Sequence, residues 1–126
     1  MKSILLQELK ELRPKLAEAA QKIYDQWNQD SEGVDETSGT GGICDEISEA
    51  IGSVIAQKVA GAELFSGGQE GDDHAFIVVQ RDDEAFGVDI PPGVYESGGG
   101  YNWRKKEGVT FSPEYVVIFP VPMQEE

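Results

Sequence analysis

His74-Ala75-Phe76-Ile77-Val78-Val79-Gln80, then Arg81-Asp82-Asp83-Glu84, then Ala85-Phe86-Gly87-Val88-Asp89-Ile90 is the stretch whose reading decides the fold. Its outer parts are rich in β-branched and aromatic residues, which suit a pleated, half-buried surface. The polar residues between them read as a turn, and Pro91-Pro92 stops the second run. The stretch is therefore an antiparallel hairpin. Downstream, a Gly-rich aromatic loop from Gly98 to Trp103 precedes a last strand, Tyr115 to Phe119. Upstream, Ala62 to Phe65 is short and strand-like, and Gly67 to Asp73 is turn material.

Before Gly61 the apolar period is helical. Leu5, Leu9, Leu12, Leu16, Ala19, Ile23 and Trp27 recur at steps of three and four over the first thirty residues. Pro14 interrupts this stripe, so the helix kinks there or a second helix starts there. The stripe packs on the chain's own sheet, since it lasts too briefly for a coiled-coil seam. Asn28 to Gly42 is a long polar loop with one aliphatic residue, Val34. A second helix follows, with Ile43, Ile47, Ile51, Val54, Ile55 and Val59 at helical spacing and Gly61 at its end. Helices first and an antiparallel meander after them predict an α+β fold, with N-terminal helices packed on an antiparallel β-sheet.

The chain has 126 residues, 39% of them apolar, which suits a single domain over 1–126, divided into an N-terminal helical segment, 1–30, and a core, 31–126. No apolar run reaches the roughly 18 residues that span a bilayer. The apolar run after Lys2 is too short for a signal peptide. Ten basic against twenty-four acidic side chains give a net charge of −14. That charge repels nucleic-acid phosphates and anionic lipid, so neither nucleic acid nor membrane is an expected partner. The one basic cluster, Arg104-Lys105-Lys106 beside Tyr101 and Trp103, reads as a charged hairpin tip. The expected location is the cytoplasm, and the composition also suits a protein released by lysis.

The single cysteine, Cys44, excludes an intramolecular disulfide framework and a cysteine zinc site. Cys44 follows Gly41-Gly42 at the expected start of the second helix. Unpaired N–H groups and the macrodipole there stabilise a thiolate and can bind an oxyanion. The single histidine, His74, opens the first strong strand, and Asp89 lies near the end of the next. A hairpin turning around Arg81 to Glu84 brings His74 and Asp89 nearly face to face. Such a carboxylate orients the imidazole and favours its protonated form, which pairs with the thiolate. Asp45 and Glu46 act against this by raising the thiol pKa. Asp72-Asp73 and Asp82-Asp83-Glu84 lack the spacing of a calcium loop, so they read as solvated turns and no metal or cofactor is expected. Gly98-Gly99-Gly100 lacks the lysine and helix of a phosphate loop.

Gly41-Gly42-Ile43-Cys44, His74-Ala75-Phe76-Ile77-Val78-Val79 and Gly87-Val88-Asp89-Ile90-Pro91-Pro92 resemble the Cys, His and Asp motifs of the papain-like cysteine-hydrolase superfamily, in its transglutaminase-like branch. The NlpC/P60 peptidases are the near alternative. The resemblance covers residues 39 to 92. It implies a papain-like fold with the nucleophile at a helix N-terminus. It also implies Cys44 as nucleophile, His74 as general base and acid, and Asp89 as orienting carboxylate. The implied activity is cysteine-dependent hydrolysis or acyl transfer at an amide or ester bond of a peptide or other amide substrate. The chain departs from the family where an aromatic often follows the cysteine, since Asp45 stands there. Gln26, Asn28 and Gln29 are oxyanion donors only by analogy. The rival expectation is a non-catalytic interaction or assembly protein that keeps the fold.

Overall fold

A computed structural model describes residues 3–29, 44–67, 76–97 and 104–123. The polar loop 30–43, the segment 68–75 that carries His74, and the Gly-rich segment 98–103 lie outside the described residues. The architecture is α+β, with two helices and a four-stranded antiparallel sheet.

Helix α1 spans Ile4–Gln29 and passes through Pro14 as one helix, so no second helix begins there. Ser3 caps it, its Oγ accepting from the Leu6 N–H at 3.0 Å. Leu5, Leu9, Leu12 and Leu16 are buried as their spacing predicts. Beyond Leu16 the buried face continues through Ala20 and Tyr24, whereas Ala19 and Ile23 are only half-buried. This departs from the expected stripe because α1 also holds the segment from Lys106 to Phe111. Gln21 Nε2 donates to the Val109 carbonyl at 3.1 Å, and the Phe111 N–H donates to Gln21 Oε1 at 2.7 Å. The Tyr24 hydroxyl donates to the Lys106 carbonyl, and its ring lies 5.4 Å from that of Phe111.

Helix α2 spans Cys44–Lys58 and buries Ile47, Ile51 and Ile55, with Val59 just beyond. Gly61 follows in the left-handed region at φ 77°, as a helix-ending glycine does.

The sheet contains β1 (Glu63–Gly67), β2 (Phe76–Arg81), β3 (Glu84–Asp89) and β6 (Val117–Pro120), in the order β1-β2-β3-β6. Arg81 and Glu84 pair with each other, so the hairpin turn is only Asp82-Asp83, tighter than the four residues expected. Asp82 takes φ 56°, the left-handed conformation that two-residue hairpin loops require of a central residue. The last strand also starts later than expected. Pro113–Tyr115 forms a 3-10 turn because Ser112 caps it, its Oγ accepting from the Glu114 N–H at 3.2 Å. Between β3 and β6, Glu96–Ser97 (β4) pairs with Arg104–Lys105 (β5) in a two-stranded ribbon. Arg104 and Lys105 are thus strand residues and not the tip of a hairpin.

Alternation divides the sheet cleanly. Leu64, Ile77, Val79, Phe86, Val88 and Ile118 join the core beneath α1 and α2. Phe65, Phe76, Val78, Gly87, Asp89 and Phe119 take the other face, by the same registers. No helix among the described residues is long and apolar enough to cross a membrane.

Candidate active site at the open end of the central hairpin

Cys44 is the first residue of α2. The first turn of any helix carries backbone N–H groups without intrahelical partners. The Cys44 side chain lies outside the described ones, and Asp45 and Glu46 share its turn.

Two contacts fix the direction of α2 over the sheet. A Cβ on Gly52 would lie 3.2 Å from Ile77 Cδ1, so the helix axis passes close to the start of β2 at this glycine. At the other end, Arg81 Nη1 donates to the Ala60 carbonyl at 3.0 Å. Helix and strand therefore run the same way. Eight residues of helix separate Gly52 from Cys44, about 12 Å of rise. Cys44 projects past the first residue of β2 by roughly three strand residues.

Asp89 is the last residue of β3, paired with Val117. The register of β2 and β3 pairs Ile77 with Val88, so the next position along sets Phe76 opposite Asp89. Asp89 thus stands at the same end of the sheet as the start of α2. It is 7% exposed and on the face turned from the helices, since its neighbours Val88 and Ile90 belong to the core beneath them. His74 lies outside the described residues. The structure brings the start of α2 and the end of β3 to one end of the hairpin, and the described side chains include no Cys–His–Asp contact. No group of three or more His, Cys, Asp or Glu among the described residues could hold a metal ion.

The other end of the sheet is fixed by an ion pair. Arg81 bridges Glu8 of α1 and the Ala60 carbonyl after α2. The hydrogen bond from Arg81 holds the Glu8 carboxyl below its ordinary range, and the same bond raises the guanidinium. Sequence reading leaves Arg81 in a turn and passes over Gln21 and Tyr24, because their partners are far away in the chain. A glutamine and a tyrosine three residues apart on a helix give no signal until the facing backbone is known.

Comparison with models of known protein families, with curated proteins and with solved structures returns no match.

Proposed function

We propose that the chain is a cysteine-dependent hydrolase or acyltransferase acting on an amide or ester bond, with Cys44, His74 and Asp89 as its triad. The observation that carries this reading is the shared end of the hairpin. The start of α2 and the last residue of β3 both lie there. His74 precedes Phe76 by two residues, so its Cα lies within about 7 Å of the Phe76 Cα. In a triad only the imidazole touches both partners, one nitrogen toward the thiol and the other toward the carboxylate.

The chemistry then runs through an acyl-enzyme. The Cys44 thiolate attacks the substrate carbonyl, and the oxyanion is stabilised by backbone N–H groups of the first turn of α2. The His74 imidazolium protonates the leaving amine or alcohol, and the C–N or C–O bond breaks. Neutral His74 next takes a proton from water or a second nucleophile, which attacks the thioester and releases Cys44. This reading classes the fold as papain-like, in the transglutaminase-like branch with NlpC/P60 peptidases as the near alternative. It takes a peptide or other amide as substrate and places the protein in the cytoplasm, where a lone thiol stays reduced.

Alkylation by iodoacetamide tests it. Cys44 should react faster at neutral pH than a free thiol, along a titration below the unperturbed value near 8.5. His74→Ala should slow the reaction, and Asp89→Asn should lower the His74 pKa followed by NMR. One observation favours the second reading, a non-catalytic interaction protein: the burial of Asp89 in a paired strand end, where a carboxylate can serve the turn alone. Slow alkylation together with an unchanged His74 titration in Asp89→Asn would decide for that reading.

A further inference from the structure

The outer surface of the two helices carries a groove with a charge opposite to that of the molecule. Arg81 ties Glu8, near the start of α1, to Ala60, just past the end of α2, so the helices are antiparallel neighbours. Between them lies a groove of about 430 Å³. Its floor is apolar and half-buried: Ala19 and Ile23 from α1, Ala50 and Val54 from α2. These are the two α1 positions that the helical period assigns to the core and that the structure leaves beside it. Small side chains at Ala19, Ala50 and Ser53 let another backbone come close.

The rim is basic. Lys15 and Lys22 stand on the α1 wall and Lys58 at the end of the α2 wall. They are three of only ten basic residues in a chain of net charge −14. None of the three is in an ion pair among the described residues, and the one acid on the groove wall, Glu18, leaves the rim net positive. The three lysines border an apolar trough.

We propose that this groove docks an amphipathic helix of a partner protein, with acidic residues flanking its apolar stripe. The apolar stripe would lie on Ala19, Ile23, Ala50 and Val54, the helix-in-groove mode of recognition. Lys15 and Lys22 are seven residues apart, about 10.5 Å along the α1 axis. The partner's carboxylates on that side are therefore two turns apart, and one on the opposite side meets Lys58. The remaining acidic charge of the molecule acts against a nucleic acid or an anionic bilayer, which present extended negative surfaces. A single acidic helix needs only the local field, which screening confines to within about 8 Å at physiological salt. This docking surface is separate from the proposed cysteine site and does not depend on it.

The test uses the full isotope-labelled chain and two synthetic helical peptides about five turns long. Both carry leucines at i, i+3, i+4 and i+7 spacing; one has Glu on the flanks and the other Lys. The acidic peptide should shift the amide resonances of Lys15 to Gln26 and Ala50 to Lys58, and the basic one should not. Lys22→Glu with Lys58→Glu should weaken the acidic peptide by about tenfold or more, with the melt still cooperative and its midpoint only slightly lower, because both side chains are exposed. Vesicles of phosphatidylcholine with phosphatidylglycerol should leave the spectrum unaltered. Absence of shifts with the acidic peptide, equal binding of both peptides, or shifts elsewhere on the chain would each overturn the proposal. Binding to the anionic vesicles would overturn it in favour of a lipid surface. The peptide comparison stands on the unmodified chain, so it decides even if the double variant does not fold.

Discussion

Gly87 shows how one residue sets the packing of a sheet face. It lies mid-strand in β3, and the Phe119 ring of β6 occupies the space a side chain would take. A Cβ there would lie 2.4 Å from Phe119 Cε2 and Cζ, far inside contact distance. Phe119 in turn meets Phe76 edge-on, with ring centroids 5.3 Å apart, and Phe76 covers Gly67 in the same way. The face turned from the helices is thus covered by its own aromatics lying over its glycines. Gly87→Ala should destabilise the protein by about 1–3 kcal/mol, the cost of forcing a ring out of a packed position. Phe119→Leu in the same chain should recover part of that loss, so the two changes should sum to less than their separate effects in denaturant titrations. Strict additivity would show that the ring does not press on Gly87. The sequence marks Gly87 only as an interruption in a strand, since the ring that fills its space comes from a strand some thirty residues later.

At the scale of the element, α1 carries an internal defect and a tether, and both are testable. Pro14 has no N–H to offer the Lys10 carbonyl, yet the helix runs on through it. Pro14 is exposed, so Pro14→Ala loses little packing. A proline inside a helix costs about 3 kcal/mol relative to alanine. Its rigidity in the unfolded chain gives back up to about 1 kcal/mol. Pro14→Ala should therefore raise stability by about 2 kcal/mol, seen as a higher melting midpoint. A fall would mean that the proline's bend serves the fit of α1 to the sheet. The tether is Glu8 to Arg81. Glu8 titrates lower in the folded chain than in the unfolded one, so its contribution is present above the unfolded value and lost as pH falls through the folded value. Its side chain is 34% exposed, which limits the pair to at most about 1 kcal/mol. Glu8→Gln should lower the midpoint slightly at neutral pH, and the gap to wild type should close in acid. A gap that persists there would assign the loss to packing. Both helices and the central hairpin were legible in the sequence, because apolar period alone specifies them. The β4–β5 ribbon and the delayed start of β6 were not, because short pairings and capped turns depend on tertiary neighbours. Of the candidate site, the helical period after Cys44 was legible for the same reason, while His74 lies outside the described residues. That Asp89 faces away from the helices was also latent in the alternation of Val88 and Ile90, but only once the core face was known.

For the whole molecule, α1 is the element on which the other parts converge. Its buried leucines complete one cluster with α2 and the helix-facing side of the sheet. Gln21 and Tyr24 hold the backbone of Lys106, Val109 and Phe111, and Glu8 holds Arg81 at the far end of the hairpin. Deleting residues 1–28 would uncover the buried isoleucines of α2 and leave the carbonyl of Val109 and the N–H of Phe111 without Gln21. Leu5, Leu9, Leu12 and Leu16 together contribute about 6–12 kcal/mol of burial, at about 1.5–3 kcal/mol each. A typical domain has a net stability of about 5–15 kcal/mol, so the loss is of the same size as the whole. The truncated chain should show no cooperative thermal transition and should expose apolar surface to a hydrophobic dye. Gln21→Ala in the full chain gives the graded counterpart. It leaves the leucines in place but removes three hydrogen bonds, two to the backbone of Val109 and Phe111 and an exposed one to Asp25 Oδ1, so it should cost about 1–3 kcal/mol and keep the melt cooperative. If the truncated chain melts cooperatively near the midpoint of the full chain, α2 and the sheet form a core without α1, and the convergence of contacts on that helix does not hold the molecule together.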